Sequence, residues 1–429
     1  MDAGKYPRPR KLASLSRLRE TWAHSRDSGR RSGSAGVDGI TPSRFREHLD
    51  RNLHNIHKNL VAGTYEFSNL RPLPIPKESG GYRVICIPTV SDRLVQRLIV
   101  RTLVGERDRL GVKNSVSYGF IEGQGGVVSA LRKARNLRAE HPWVFKSDIS
   151  SFFDQIDRSD LKEQLNKRLG RWSLAPLINA AIDCEIEKKG LSEDELESTK
   201  GIRDRHGLRQ GMPLSPILSN FVLRDFDRFF EKRNAKLIRY ADDFLILTDS
   251  REQCEEFFQH ADRLLKQKGH SIPSPSAGSK TAFRSPDEPV EFLGLEISPK
   301  RSAAGYEIRA GKKAFQAIRR KLELHSNFES ALREGKRFFE VISRINSSVV
   351  GYVNVYRDAK NFEDLRSHAE TCRANAIARV LCQLFGPDAM ENLKSDYRKA
   401  EFLGLSDGIA HQALSNRSRR RSKKRPRKR

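Results

Sequence analysis

The chain has 429 residues, 37% of them hydrophobic and 31% charged, with a formal net charge of +26. That length supports two or three structural units around sizeable cores, and the composition is polar without reading as disorder throughout. The positive excess points to a polyanionic partner, a solubilising surface being the alternative, and the want of any run of about 18 apolar residues excludes a membrane span.

The first residues, MDAGKYPRPRKLASL, lack the apolar core of a secretory signal. Residues 1–35 are rich in Arg, Ser and Gly and predict a short helix near Leu12–His24, then a flexible linker. From Thr41 to Leu60 apolar residues recur at spacings of three and four, with Thr41 and Pro42 suited to the N-cap and first turn. Leu73–Pro76 and Tyr82–Ile87 read as two short strands joined by the turn Glu78–Gly81. Pro88 ends the second, and Ser91 is placed to cap a helix carrying Leu94, Val95, Leu98 and Ile99. Trp143–Asp148 is a short apolar run ending on an acid, which suits a strand, and helical patterns continue to about Cys184. Residues 185–206 are dense in charge and read as a solvated connection. Pro213–Phe230 has the spacing of a buried helix, Lys236–Leu247 that of a hairpin turning at Ala241–Asp243, and Glu252–Gly269 that of another helix. A strand pair follows near Thr281–Phe283 and Glu291–Ile297. The order strand, helix, hairpin, helix, strand is that of a split βαβ sheet. Beyond Lys300 the pattern is mainly helical, with Phe338, Ile342, Ile345, Val349, Val353 and Tyr356 on one stripe of a long helix. The last 13 residues, Arg417–Arg429, hold ten Lys or Arg and no acid, a basic low-complexity tail.

The cysteines, Cys86, Cys184, Cys254, Cys372 and Cys382, form no pair of CxxC motifs. They predict reduced thiols in a cytosolic protein and no structural zinc.

Tyr240-Ala241-Asp242-Asp243 is the sharpest local signal. Neighbouring carboxylates on a turn between buried strands repel one another, and a divalent cation would relieve that cost. An ordinary Asp-favouring hairpin turn is the competing reading. Asp148, at the end of an apolar strand in FKSDISSFFDQID, is placed to lie beside Asp242 on an adjacent strand; a helix N-cap acid is its other reading. Two metals about 4 Å apart, held by bridging acids and a backbone carbonyl, are what phosphoryl transfer requires.

The motifs GVDGI (36–40), RPLPIPKESGGYRVICIP (71–88), SYGF (117–120), SDISSFFDQID (147–157), RQGMPLSPILSN (209–220), YADD (240–243), KT (280–281) and EFLGLEI (291–297) occur in a familiar order. From about Gly36 to Arg357 the chain resembles a reverse transcriptase of the bacterial group II intron-like lineage. The resemblance implies an α+β right-hand polymerase. It would comprise a basic N-terminal extension (1–35), fingers (36–135), a split βαβ palm (136–298) with a helical and loop insertion over 158–206, a helical thumb and RNA-binding region (299–400) and a basic C-terminal tail (401–429).

The resemblance also implies roles. Asp148, Asp242 and Asp243 would be catalytic and, with the Ile149 carbonyl, would hold two Mg2+, with Mn2+ able to substitute. Lys77 and Arg83 match positions that grip an incoming triphosphate, and their chemistry suits phosphate. Phe153 matches the steric gate against a 2′-hydroxyl, with Phe152 as the core ring beside it. Gln210 and Gly211 match the turn against the nascent base pair. Lys280 matches a lysine near the triphosphate that protonates pyrophosphate. The tail cations Arg417, Arg419, Arg420, Arg421, Lys423, Lys424 and Arg425 are expected on RNA, a plain solubility tail being the alternative. Expected partners are an RNA template or structured non-coding RNA, a DNA product, dNTPs, and a protein partner or second copy, with no membrane, in the bacterial cytoplasm.

Departures from the family pattern fall at IEGQGG (121–126), at Gly207-Leu208-Arg209 where a Thr-Pro pair is commoner, and at Arg158 where a His often stands. GYVNVYR (351–357) resembles a maturase thumb helix, packing on RNA or on the thumb core. No homing-endonuclease His/Asn cluster and no retron-specific motif is seen. The leading reading is a stand-alone RNA-directed DNA polymerase working with a dedicated RNA, with antiphage defence as its biology. The alternatives are an endonuclease-less intron maturase and a non-catalytic RNA-binding protein.

Overall fold

The structure, a computed structural model, describes residues 13–29, 33–77, 80–120, 125–170, 174–300 and 304–386. The described residues fall into two compact units, one drawn from residues 1–130 and 141–283, the other from 131–140 and 284–429. In chain order the helices are α1 (Leu15–Ala23), α2 (Pro42–Glu47), α3 (Leu49–Ala62), α4 (Val90–Gly105), α5 (Arg107–Leu110), α6 (Gly126–Glu140), α7 (Phe152–Gln155), α8 (Arg158–Leu169), α9 (Ala175–Ile182), α10 (Glu193–Thr199), α11 (Ser215–Lys232) and α12 (Arg251–Lys266). They are followed by α13 (Lys312–His325), α14 (Phe328–Arg333), α15 (Phe338–Val355) and α16 (Phe362–Phe385). The strands are β1 (Arg71–Pro76), β2 (Tyr82–Ile87), β3 (Trp143–Asp148), β4 (Lys236–Tyr240), β5 (Asp243–Thr248), β6 (Ala282–Arg284), β7 (Val290–Phe292), β8 (Leu295–Pro299) and β9 (Tyr306–Arg309).

In the first unit β1 and β2 form a two-stranded antiparallel ribbon, and the four-stranded sheet runs β4-β5-β3-β6. Val144, Phe145, Phe244, Leu245 and Ile246 are fully buried, so the central strands β3 and β5 carry the apolar runs expected of strands covered on both faces. Phe145 meets Phe244 edge to face at 5.5 Å. The segment over Thr41–Leu60 is two helices, because His48, at φ −122° and ψ 36°, breaks the spiral between α2 and α3. Thr89, not Ser91, caps α4: its hydroxyl accepts from the Asp92 N–H at 3.1 Å.

Residues 185–206 depart from the solvated connection that their charge predicts. Ser192 and Glu195 close a capping box on α10. That helix packs on β1 and β2, with Ser198 and Thr199 buried. Leu70 and Glu185 are tied by a backbone bond of 2.7 Å, which joins this segment to the entry of β1.

In the second unit β7, β8 and β9 form a three-stranded sheet. The predicted single strand over Glu291–Ile297 is instead a hairpin. Leu293 (φ 53°) and Gly294 (φ 82°) turn it in the left-handed region, and Phe292 pairs with Leu295. Strand β6 belongs to the other sheet and does not pair with it. The core joins Ile318 and Leu322 of α13, Ile345, Val349 and Val353 of α15, and Ile377 and Val380 of α16. Val341 occupies the buried stripe of α15, while Phe338 at its start is exposed. Tyr352 donates to the Ala314 carbonyl at 2.7 Å and its ring lies 5.1 Å from that of buried Tyr356, so the GYVNVYR aromatics pack within this unit. No helix among the described residues is long and apolar enough to cross a membrane. All five cysteines are free thiols, and burial pushes Cys86 and Cys184 up to about 12.

Candidate active site

Strand register brings the acids together. In the antiparallel pair of β3 and β5, Asp148 stands opposite Asp243, and the Ile149 N–H donates to the Asp242 carbonyl at 3.0 Å. Tyr240 pairs with Asp243 across the β4–β5 hairpin, leaving Ala241 and Asp242 as a two-residue turn. Ala241 has φ 58° in a place that favours glycine, a conformation costing a residue with a Cβ about 1–2 kcal/mol. Burial, and then the charge of Asp148, push the Asp242 carboxyl above the usual range, against the opposing pull of Lys280 and Arg83. The Lys280 ammonium sits 2.7 Å from Asp148 Oδ1.

The turn is held from beneath by groups that sequence reasoning passed over. Arg239 and Asp227 are both fully buried, and the guanidinium donates from Nε at 2.6 Å and from Nη2 to the two carboxylate oxygens. Arg239 Nη1 donates to the Ala241 carbonyl at 2.8 Å and to Asn220 Oδ1 at 3.1 Å. Asn220 in turn donates to the Gly119 carbonyl at 2.9 Å. Gly119 has no room for a side chain: a Cβ there would meet the Ala241 nitrogen at 2.6 Å. The sequence signal was an arginine between Ile238 and Tyr240, in a strand that also begins with Lys236.

Beside the acids a cavity of about 590 Å³ is lined by Lys77, Arg83, Asp154, Arg203 and Gln210, among others. The structure thus places three of the expected nucleotide-binding residues, Lys77, Arg83 and Gln210, on one cavity, and adds Arg203 from the 185–206 segment. Burial raises the Asp154 carboxyl, while Lys77, Arg209, Arg203 and Arg83 pull it down. Gly211, at φ 104°, lies behind the cavity: a Cβ there would meet the Cys86 carbonyl oxygen at 2.7 Å, and the Cys86 N–H donates to the Gln210 carbonyl at 2.6 Å. Phe153 is half-buried, and Phe152 lies in the core against it. Lys280 stands at Asp148 rather than on this cavity.

The departures at Arg158 and Arg209 meet on one carboxylate. Arg158 Nη1 donates to Glu185 Oε1 at 2.7 Å, Arg158 Nε donates to the Gly207 carbonyl at 2.8 Å, and Arg209 Nη2 donates to Glu185 Oε2. Both arginines are buried. Burial works to raise the Glu185 carboxyl, but hydrogen bonds from Arg209 and the Arg205 N–H, with the two guanidinium charges, leave it below its ordinary range. The tail from Arg417 to Lys424 and Arg425, with the rest of residues 387–429, lies outside the described residues. So do residues 121–124 of the IEGQGG departure.

The side chains of Asp148, Asp242 and Asp243 offer oxygen donors, which suits a hard divalent cation, and such a cation would relieve the Asp148–Asp242 repulsion. Among the described residues no three His, Cys, Asp or Glu side chains converge as a ready-made cage.

Residues 75–297 match the family described as "Reverse transcriptase (RNA-dependent DNA polymerase)". Protein YkfC of Escherichia coli (strain K12) is 27% identical over 213 residues, covering 48% of this chain and 52% of YkfC. The group II intron-encoded protein LtrA of Lactococcus lactis subsp. cremoris is 23% identical over 425 residues, covering 78% of this chain and 68% of LtrA. The retron Ec73 reverse transcriptase of Escherichia coli is 25% identical over 202 residues, covering 46% of this chain and 58% of that protein. The chain thus spans about half the length of YkfC and about two thirds of LtrA.

Proposed function

The chain belongs to the reverse transcriptase family, and on that premise we propose that it copies RNA into DNA from dNTPs, using Mg2+ held by Asp148, Asp242, Asp243 and the Ile149 carbonyl. The observation that carries this reading is the register of β3 on β5: it sets Asp148 opposite Asp243, beside a cavity lined by Lys77 and Arg83. The divalent cations would supply charge neutralisation for an attacking 3′-hydroxyl and a departing pyrophosphate. In the reaction the primer 3′-oxygen bonds to the α-phosphorus, and the bond from that phosphorus to pyrophosphate breaks.

The chain's own groups take the remaining work. Lys77 and Arg83, with Arg203, hold the triphosphate by charge-assisted hydrogen bonds. Phe153 presses on the sugar and excludes a 2′-hydroxyl, which selects deoxynucleotides. Gln210 and Gly211 support the nascent pair from the segment that Arg158, Glu185 and Arg209 fix. Lys280 would release Asp148 to the metal and protonate the departing pyrophosphate. The template is a dedicated structured RNA, gripped in part by the basic tail, in the bacterial cytoplasm.

The test is primer extension on an RNA template with dNTPs and Mg2+. Incorporation by the full chain and its loss in Asp242→Asn support the reading. Extension that survives in Asp242→Asn at more than about a tenth of the original rate, a barrier change under 1.4 kcal/mol, overturns the site.

A further inference from the structure

The three-stranded sheet of the second unit has one apolar face and one polar face. Val290, Ile297 and Ile308 pair in a row across β7, β8 and β9, and all three are buried. Glu291, Glu296 and Arg309 pair in the adjacent row, so their side chains leave the sheet on the opposite face, where Ser298 and Glu307 pair beside them. At that polar face and the start of α13 lies a cavity of about 520 Å³, lined by Glu296, Glu307, Arg309, Lys312, Phe315 and Asn361 among others. Its volume is that of a small-ligand site, and it is built wholly within the second unit.

The acids of this face are not equivalent. Lys313 Nζ sits 2.6 Å from Glu291 Oε2, and Arg309 Nη1 sits 2.6 Å from Glu307 Oε1. Glu296, half-buried on the cavity wall, has no hydrogen bond and no ion pair among the described residues. Burial, and then the charge of Glu291, push its carboxyl above the ordinary range, against the pull of Lys313, Arg309 and Lys312. Gly311 leaves that carboxylate its room, because a Cβ there would overlap it. Four residues on, the half-buried Phe315 ring packs on His368 with centroids 5.3 Å apart. Asn361 commits both ends of its amide to Ala310, at 2.8 and 3.0 Å, and so walls the cavity without competing for what enters it.

These groups select a ligand. A carboxylate that has no donor of its own is met best by two adjacent N–H groups. Among the four RNA bases only guanine presents two on its Watson–Crick edge, at N1 and N2, and that edge is open only when the base is unpaired. A guanidinium presents two as well, but Arg309 and the exposed Lys312 on the same cavity repel it, whereas they suit a phosphate. Phe315 supplies a ring face for a base. We propose that the cavity between the β7–β8–β9 sheet and α13 takes one unpaired guanine, presented by RNA or by a free guanine nucleotide, with Glu296 accepting from N1–H and N2–H. The contact gives the chain a preference among ligands that copying, which must tolerate every base, does not supply.

Glu296→Gln keeps the size of the side chain and sets a donor where guanine also donates. Binding of the full chain is read by anisotropy on a labelled uridine-rich RNA decamer with one central guanine. The same decamer carries inosine, which lacks the N2 amine, or adenine at that position for comparison. The original chain should bind the guanine decamer at least about fivefold tighter than the adenine decamer, with inosine between them. Glu296→Gln should shrink that ratio below about twofold and leave the adenine decamer within about twofold of its original affinity. Equal affinity for all three decamers in the original chain overturns the proposal, and so does a guanine preference that survives in Glu296→Gln. A preference erased by added GMP but not by AMP assigns the pocket to the free nucleotide; one that GMP leaves intact assigns it to guanine carried by RNA. A second measurement needs no variant: 6-thioguanosine at the central position, irradiated on the original chain, should crosslink within residues 296–316, and crosslinks confined to other segments overturn the proposal. Primer extension is no part of these readouts, so the failure of this inference and the failure of the polymerase reading are told apart.

Discussion

Beneath the Asp242 turn the core is tied by ions, whereas the helical unit beyond residue 284 is held mainly by aliphatic contact. The first unit buries Arg239 with Asp227, sets Arg158 and Arg209 on Glu185, and points the Tyr65 hydroxyl at Asp92 at 2.8 Å. The second joins Ile318, Leu322, Ile345, Val349 and Ile377 with no buried ion pair among these residues. Its α15 leaves Phe339 82% and Val350 63% exposed. Arg138 is its exception, fully buried and donating to the Ile297 carbonyl at 2.7 Å and the Ser285 carbonyl at 3.0 Å. Apolar burial is non-directional and suffices to hold a scaffold. Buried ion pairs repay their desolvation only in one geometry, so they are found where carbonyls and carboxylates must be fixed in place.

The largest effect on function should come from the acids themselves. Asp242→Asn removes metal ligation and should cut incorporation by more than a hundredfold, read as single-turnover extension at matched Mg2+. It should also stabilise the free protein. The folded-state Asp242 carboxyl is raised, so its ionised form opposes folding at neutral pH, and that opposition fades as pH falls through the raised value. A melting point higher by on the order of 1–3 °C at pH 7, shrinking toward acid, is the expected mark.

Next come the ties. Arg239→Met leaves the buried Asp227 carboxylate without its countercharge, with the Asn114 amide still donating to it at 3.0 Å, and should cost about 3–5 kcal/mol in denaturant unfolding. Ile345→Ala, in the aliphatic unit, should cost about 2–5 kcal/mol by opening a cavity. The comparison is sharpened by activity under conditions where both variants stay folded. Arg239→Met should lose extension out of proportion to its stability, through the Ala241 carbonyl it no longer holds, while Ile345→Ala should lose little. Equal activity in the two would break the contrast.

Smaller effects follow at the edges. Phe153→Ala should erode discrimination against ribonucleotides by about tenfold in direct competition, since a site that merely refuses a hydroxyl gains only a kcal/mol or two. An unchanged preference would return Phe153 to the core beside Phe152. Deleting Arg417–Arg429 should flatten the slope of log affinity against log salt by roughly 3.5 to 4.5 if half of the ten cations engage phosphate. Parallel salt plots for full and shortened chains would make the tail a solubility segment.

The parts of the fold that were legible are those where one physical signal dominates. β3 was readable because an apolar run of strand length stops on an acid, and the β4–β5 hairpin because adjacent acids interrupt two strand-like runs. The hairpin inside EFLGLEI was not, because Leu293 carries no sequence mark of its left-handed backbone. β9 was missed altogether within a stretch read as helical. The expected metal and triphosphate residues were nameable from a resemblance of motifs, but their supports were not. Arg239, Asp227 and Glu185 look like surface charges in one dimension, since burial and pairing are properties of the folded chain.

The shared carboxylate of Glu185 bears on how this lineage can drift. Arg158 donates to Oε1 and Arg209 to Oε2, so the two guanidinium groups share one carboxylate through separate oxygens. Loss of Glu185 leaves two buried arginines without their carboxylate, and loss of either arginine leaves the carboxylate with one guanidinium in place of two, so single changes are penalised while a concerted exchange need not be. Positions 158, 185 and 209 should therefore be inherited as a block, and a chimera that imports only one of them from a relative should fold worse than either parent.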